Sequence, residues 1–237
     1  VTTGTEAAPD WVRIDAVAVE GGAITVSAAY DQATTIETYR LLRYNPVSFS
    51  WMETVTAAGS SGRILFKAPE EDTTVINLYI AAAVNGCGVN AALSEPARNM
   101  LLEAAFTGIN VELRWNRPVQ GGPELFTVWR DTGDGMQEIA RNLSDTVWSE
   151  EYAVFAGELA TAEIVYRVTA SDPAMPPGTP VHSSQAAIIE GTENIYMPNA
   201  FTPGKGDGNA LFSPEFSFIP GEYDFRVYSR NGRLLYR

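Results

Sequence analysis

Alternating apolar residues recur in this chain, and the recurrence itself returns 87 residues further on. Ile24, Val26 and Ala28 come back as Val111, Leu113 and Trp115. Tyr39, Leu41 and Arg43 come back as Phe126, Val128 and Arg130, and Tyr79, Ala81 and Ala83 as Tyr166, Val168 and Ala170. A period of two marks a strand with one buried face, because successive side chains leave a strand on opposite sides. One offset kept over three separate segments indicates two copies of a single domain type, near 11–98 and 99–190.

Within the first copy the pattern predicts a strand from Val12 to Ala18, a turn at Gly21-Gly22 and a second strand through Ile24, Val26 and Ala28. Further strands are expected over 38–44, 50–57, 63–67, 75–84 and 93–97. Short strands following one another with no amphipathic helix argue for an all-β fold whose layers are packed sheets, a sandwich. Such a fold buries two inner faces, which is why alternate positions are the ones that recur. Residues 1–10 are small and polar and read as a linker or arm. Pro173, Pro176, Pro177 and Pro180 make a stiff hairpin loop, with a poly-proline recognition segment as the alternative.

The repeated unit resembles the fibronectin type III domain, an immunoglobulin-like sandwich. The tryptophan usual on that family's second strand is matched by Trp115, with Ala28 in the first copy, and its late-strand tyrosine by Tyr79 and Tyr166. The resemblance implies two tandem sandwiches over about 180 residues. A divergent immunoglobulin-like domain is the near alternative.

Residues 191–237 read differently. The run Pro198-Asn199-Ala200-Phe201-Thr202-Pro203, followed by the glycine-rich Gly204-Lys205-Gly206-Asp207-Gly208-Asn209, is an extended segment leading into a tight loop. A hairpin is expected around Asn231-Gly232. The run resembles the opening of the gliding-motility-associated C-terminal domain, the type B sorting domain of type IX secretion. Pro198 to Pro203 and Asp207 carry the motif. Lys205 displaces its Gly-Asp-Gly by one place, and Asn231 stands where the family's second signature has Trp. The resemblance implies export across the outer membrane, with secretion and surface-attachment machinery as partners, and a location at the cell surface. By this reading the chain is a piece of a longer protein, and 191–237 is a truncated C-terminal β segment.

Charge narrows the function classes. Sixteen Lys and Arg against 29 Asp and Glu give a formal net charge of −13. Nucleic-acid binding draws on counterion release by a cationic surface, so nucleic acid is not an expected partner. The apolar stretch Leu78–Val84 is far short of the roughly 20 residues a spanning helix needs, so direct membrane insertion is not expected either. Cys87 is the sole cysteine, hence no internal disulfide. It is expected to be buried and inert, or else to pair with a thiol outside the chain.

Residue chemistry gives few catalytic handles. His182 is the sole histidine and stands beside Ser183 and Ser184, but no nucleophile-elbow Gly-x-Ser-x-Gly accompanies it. It reads as a polar residue on a surface strand, and no catalytic residue is assigned. Asp131 and Asp134, and Asp207 and Asn209, place hard oxygen ligands on glycine turns. They are weak calcium candidates, because neither run has the distal bidentate Glu of a full loop, and plain turn use is favoured. No cofactor is otherwise expected. Glu70-Glu71-Asp72 and Glu150-Glu151 read as solvated acidic faces. Trp51, Trp129 and Trp148 are the candidate ligand contacts, able to stack on a surface glycan or meet a protein partner. The sum is a non-enzymatic spacer or adhesion region of a secreted surface protein. The alternatives are a carbohydrate- or protein-binding module, or an accessory region of a secreted hydrolase.

Overall fold

The computed structural model describes residues 6–107, 109–152, 163–190, 195–197, 214–216 and 224–236. The chain is all-β. Its first half carries β1 (Val12–Glu20), β2 (Ala23–Tyr30), β3 (Thr38–Asn45), β4 (Ser50–Ala58), β5 (Arg63–Ala68), β6 (Leu78–Val84), β7 (Asn90–Leu93) and β8 (Ala97–Arg98). Its second half carries β9 (Leu102–Thr107), β10 (Asn110–Trp115), β11 (Leu125–Asp131), β12 (Gln137–Leu143), β13 (Val147–Glu151), β14 (Glu163–Ser171), β15 (His182–Ser183) and β16 (Ala187–Glu190). The short pairs β17 (Ile195–Tyr196) with β18 (Glu215–Phe216), and β19 (Val227–Tyr228) with β20 (Leu234–Tyr236), follow. The β19–β20 turn closes with Gly232 N–H donating to Ser229 O at 2.9 Å, and Gly232 takes the left-handed φ of 78° that glycine adopts at low cost. No helix among the described residues is long and apolar enough to cross a membrane.

The sequence repeat is a repeat of strand register. On β3 and β6, Tyr39 faces Ala83, Leu41 faces Ala81 and Arg43 faces Tyr79. On β11 and β14, Phe126 faces Ala170, Val128 faces Val168 and Arg130 faces Tyr166. Every one of these residues sits 87 positions from its counterpart. The same holds for β1 with β2 against β9 with β10: Val17 faces Val26 and Val19 faces Ile24, as Ala104 faces Leu113 and Phe106 faces Val111. The match stops at Asp15, an extra residue bulged out of β1 between Ile14 and Ala16.

Two buried clusters form from these registers. One combines Val17, Ile24, Val26 and Phe66 of β1, β2 and β5 with Tyr39, Leu41, Tyr79 and Ala81 of β3 and β6. The other combines Val111, Leu113 and Trp115 of β10 with Phe126, Val128, Tyr166 and Val168 of β11 and β14. Full burial of such a side chain is worth about 1.5–3 kcal/mol, so each alternating strand carries much of its own stability. Tyr30 and Tyr39 stack at 4.7 Å between centroids, close over Gly59.

Several local expectations change. The segment at 75–84 enters its sheet only at Leu78, because Val75 and Asn77 are held in a loop by Asn99: Asn99 Nδ2 donates to Val75 O and Asn99 Oδ1 accepts from Asn77 N. The segment at 93–97 is divided between β7 and β8 by Ser94 to Pro96. Cys87 is exposed rather than buried. It lies in the β6–β7 turn, where Asn85 Oδ1 accepts the N–H groups of Cys87 and Val89.

The acidic pairs are not plain solvated faces. Glu71 pairs with Arg43 at 2.8 Å, and Glu150 with Arg130 at 2.6 Å while also accepting the Tyr166 hydroxyl at 2.7 Å. Glu70 and Glu151 are the exposed members. On β13 strand alternation sends Glu150 and Glu151 to opposite faces, whereas Glu70 and Glu71 lie in the turn after β5.

Candidate functional site

The two halves meet through β15. It pairs antiparallel with β14, Ala170 facing His182 and Thr169 facing Ser183, and parallel with β1, Ala18 facing Ser183. One sheet therefore runs β12-β11-β14-β15-β1-β2-β5, with β16 also on β14. The backbone N–H of Val17 donates to Nδ1 of His182 at 3.1 Å. His182 is 5% exposed, not a surface residue. Burial penalises the imidazolium and pushes its pKa down to about 4, so the ring is neutral at neutral pH, with Nδ1 as acceptor and the proton on Nε2. Its polar neighbours Ser183 and Ser184 are buried too. Ser184 Oγ accepts the Val168 N–H at 3.0 Å and donates to Gln185 O at 2.8 Å. A Ser-His-acid constellation is not formed here, since Nδ1 is occupied by a main-chain amide.

A groove of about 500 Å³ opens beside this junction. Its walls come from Arg13 to Asp15 of β1, the loop around Glu124, and the proline loop from Asp172 to Val181. The bulge puts Asp15 at the groove, where Oδ1 pairs with Arg13 Nε at 2.8 Å. Glu124 is 4% exposed, and its Oε2 has no hydrogen-bond partner. Burial raises its carboxyl above the usual range, against the pull of Arg117, and Asp172 raises it further. The carboxylate lies so near Gly122 that a Cβ there would stand 2.3 Å from Oε2.

The three tryptophans lie on three sheets. Trp51 is on β4, 38% exposed, with its ring edge to Tyr44 at 5.5 Å. Trp129 is on β11, on the face opposite Phe126 and Val128, half-buried, and its indole N–H donates to Thr169 Oγ1 at 3.0 Å. Trp148 on β13 packs against the second cluster. Near Trp51 the β3–β4 turn presents Val47 (87% exposed) and Phe49 (80%) to solvent. Phe49 has a φ of 52°, and Asn45 Oδ1 orders the turn by accepting the N–H groups of Val47 and Ser48.

Asp131 Oδ1 is taken up by its own turn, accepting from Gly133 N at 2.8 Å and Gly135 N at 2.9 Å, and Asp134 is exposed. Among the described residues no three His, Cys, Asp or Glu side chains converge as a metal cluster. Pro198, Asn199, Ala200, Phe201, Thr202, Pro203, Asp207 and Asn209 lie outside the described residues.

No protein-family model and no curated protein matches the chain. Among solved structures, pectate lyase Pel3 from Pectobacterium carotovorum is similar at 20% identity and a TM-score of 0.29, over 44% of this chain; this chain covers 28% of that one. The FN1-FN3 domains of chicken CNTN1 are similar at 10% identity and a TM-score of 0.28, over 90% of this chain and 85% of that chain. A two-domain fibronectin type III segment of chicken tenascin is similar at 14% identity and a TM-score of 0.26, over 77% and 98%. At these scores none of the three carries an argument about family or function.

Proposed function

We propose that this chain is a non-enzymatic spacer and adhesion region of a secreted surface protein. In this reading 11–98 and 99–190 are two immunoglobulin-like sandwiches of the fibronectin type III kind, and 191–237 opens a sorting domain that addresses the intact protein to secretion and surface-attachment machinery. One observation supports the spacer role above the others: a single sheet crosses from one half to the other through β1 and β15, with His182 inserted at the crossing. A main-chain connection resists bending in a way that a bare linker does not. The shared strand registers support a duplicated unit.

Protease accessibility on intact cells tests display and export together, comparing the full-length protein with a version ending at Thr192. Cleavage of the first and protection of the second support the sorting role of the C-terminal segment. Equal cleavage removes that role and leaves the spacer reading to stand alone.

The β3–β4 turn favours a second reading, a module that binds a glycan or protein. Tyr44 to Met52 contains no charged residue, in a chain with a net charge of −13, and it exposes Val47, Phe49 and Trp51 together. Loss of cell or glycan adhesion in Phe49→Ser with an unchanged melting curve supports it.

A further inference from the structure

The groove at the junction holds a buried acid that the spacer role does not use. Burying a carboxylate oxygen without a partner costs about 1–3 kcal/mol or more, and native chains leave few such groups. The neighbouring cations relieve Glu124 only in part and donate no hydrogen bond to its Oε2. Arg117 is turned to the carbonyls of Gly122 and Ser144 and lies over the Phe126 ring at 5.3 Å, and Arg13 is held by Asp15. The remaining ionic groups of the groove wall, Glu95 and Asp172, are acids as well. Between them the wall is apolar, made by Val119, Met175 and prolines. A volume of about 500 Å³ is that of a small-ligand site.

We propose that this groove binds an ammonium or guanidinium group on an aliphatic stem, as in a lysine or arginine side chain of a partner peptide, with Glu124 as its counter-ion. The stem lies along Val119, Met175 and the prolines, and a turn of the Glu124 side chain away from Gly122 brings the carboxylate to the cation. The acids of this largely apolar groove do not converge as a metal cluster among the described residues, so it suits an organic cation better than a metal ion, which needs several converging oxygens. The site goes beyond the spacer reading and does not depend on it, because binding in the purified chain is independent of display on a cell.

The test is an amide-shift titration of the isotope-labelled chain at neutral pH. The probes are Nα-acetyl-lysine methylamide, Nα-acetyl-arginine methylamide, the uncharged norleucine analogue, and calcium chloride. The expected result is saturable shifts at Gly122, Glu124, Met175 and Val181 with one or both cationic probes, at a Kd of about 1 mM. Glu124→Gln keeps the shape, removes the charge and weakens binding about tenfold. Thr179→Lys places a tethered ammonium in the groove, blocks the probes and leaves Glu124 untouched, so it decides the matter should the first variant fold poorly. The proposal is overturned by absence of saturable shifts, by equal binding of the norleucine analogue, by undiminished binding in either variant, or by calcium producing the same shifts at lower concentration.

Discussion

The Val17 amide and the His182 imidazole share a hydrogen bond of 3.1 Å that ties the first strand of the chain to one of its last. It works only while Nδ1 keeps its lone pair. The unfolded chain takes up a proton near the ordinary 6.5, whereas the folded chain resists until about 4. Stability from this group is therefore complete above pH 6.5 and is lost progressively as pH falls through about 4, some 3 kcal/mol in all. Urea unfolding across that range checks it. In His182→Gln the part of the acid dependence that centres on this window disappears.

Tyr166 and Tyr79 hold equivalent places in the two halves but differ at the hydroxyl. Tyr166 Oη donates to Glu150, while Tyr79 Oη is buried without a partner. Tyr166→Phe is expected to cost about 1.5–3 kcal/mol, the range for a bond to a charged group. Tyr79→Phe is expected to be neutral or stabilising. Chemical denaturation of the two variants side by side separates them.

Ser94 and Ser184 perform one task twice. Each hydroxyl accepts a buried strand amide, Ala81 N at 2.9 Å and Val168 N at 3.0 Å, and each serine N–H donates back to the carbonyl of the same residue. Ser94→Ala and Ser184→Ala should each cost about 1–3 kcal/mol by stranding an amide. The sites share no partner, so if the chain unfolds in one step the double variant is additive to within about 0.5 kcal/mol.

Gly59 marks a close approach of backbone to ring. A Cβ there would stand 2.6 Å from Tyr39 Cε2 and 2.8 Å from Tyr30 Cε1. Gly59→Ala must displace the stacked tyrosines, at about 1–3 kcal/mol. The lowered melting temperature should come with a changed near-ultraviolet circular dichroism signal.

The sequence carried the sheets far better than it carried the junction. Alternation at Tyr39, Leu41 and Arg43, and its return at Phe126, Val128 and Arg130, reads directly as register, because side-chain period and strand pairing are the same geometry. Ser94 and Ser184 escaped the offset of 87, being 90 positions apart, with the proline loop lying ahead of the second. His182 reads as a surface residue in the sequence because polarity signals exposure only where no second unit covers the strand. It is buried, as are Ser183 and Ser184 beside it, with Val17 N–H of the first half donating to His182 Nδ1 and Val168 N–H of the second donating to Ser184 Oγ. Glu124 gave no signal at all, since one acid among 29 Asp and Glu has nothing local to distinguish it. Its unpartnered oxygen is a product of tertiary packing.

The parallel contact of Ala18 with Ser183 sets how the molecule carries tension. β1 leaves its pairing toward the N-terminal side and β15 continues toward the C-terminal side, so a pull on the two ends draws the strands past each other lengthwise. The Ala18–Ser183 pairing and the Val17–His182 bond are then loaded in shear together rather than opened one after another like a zip. A crossing built this way yields abruptly rather than by stages, with the imidazole of His182 among the contacts that must give.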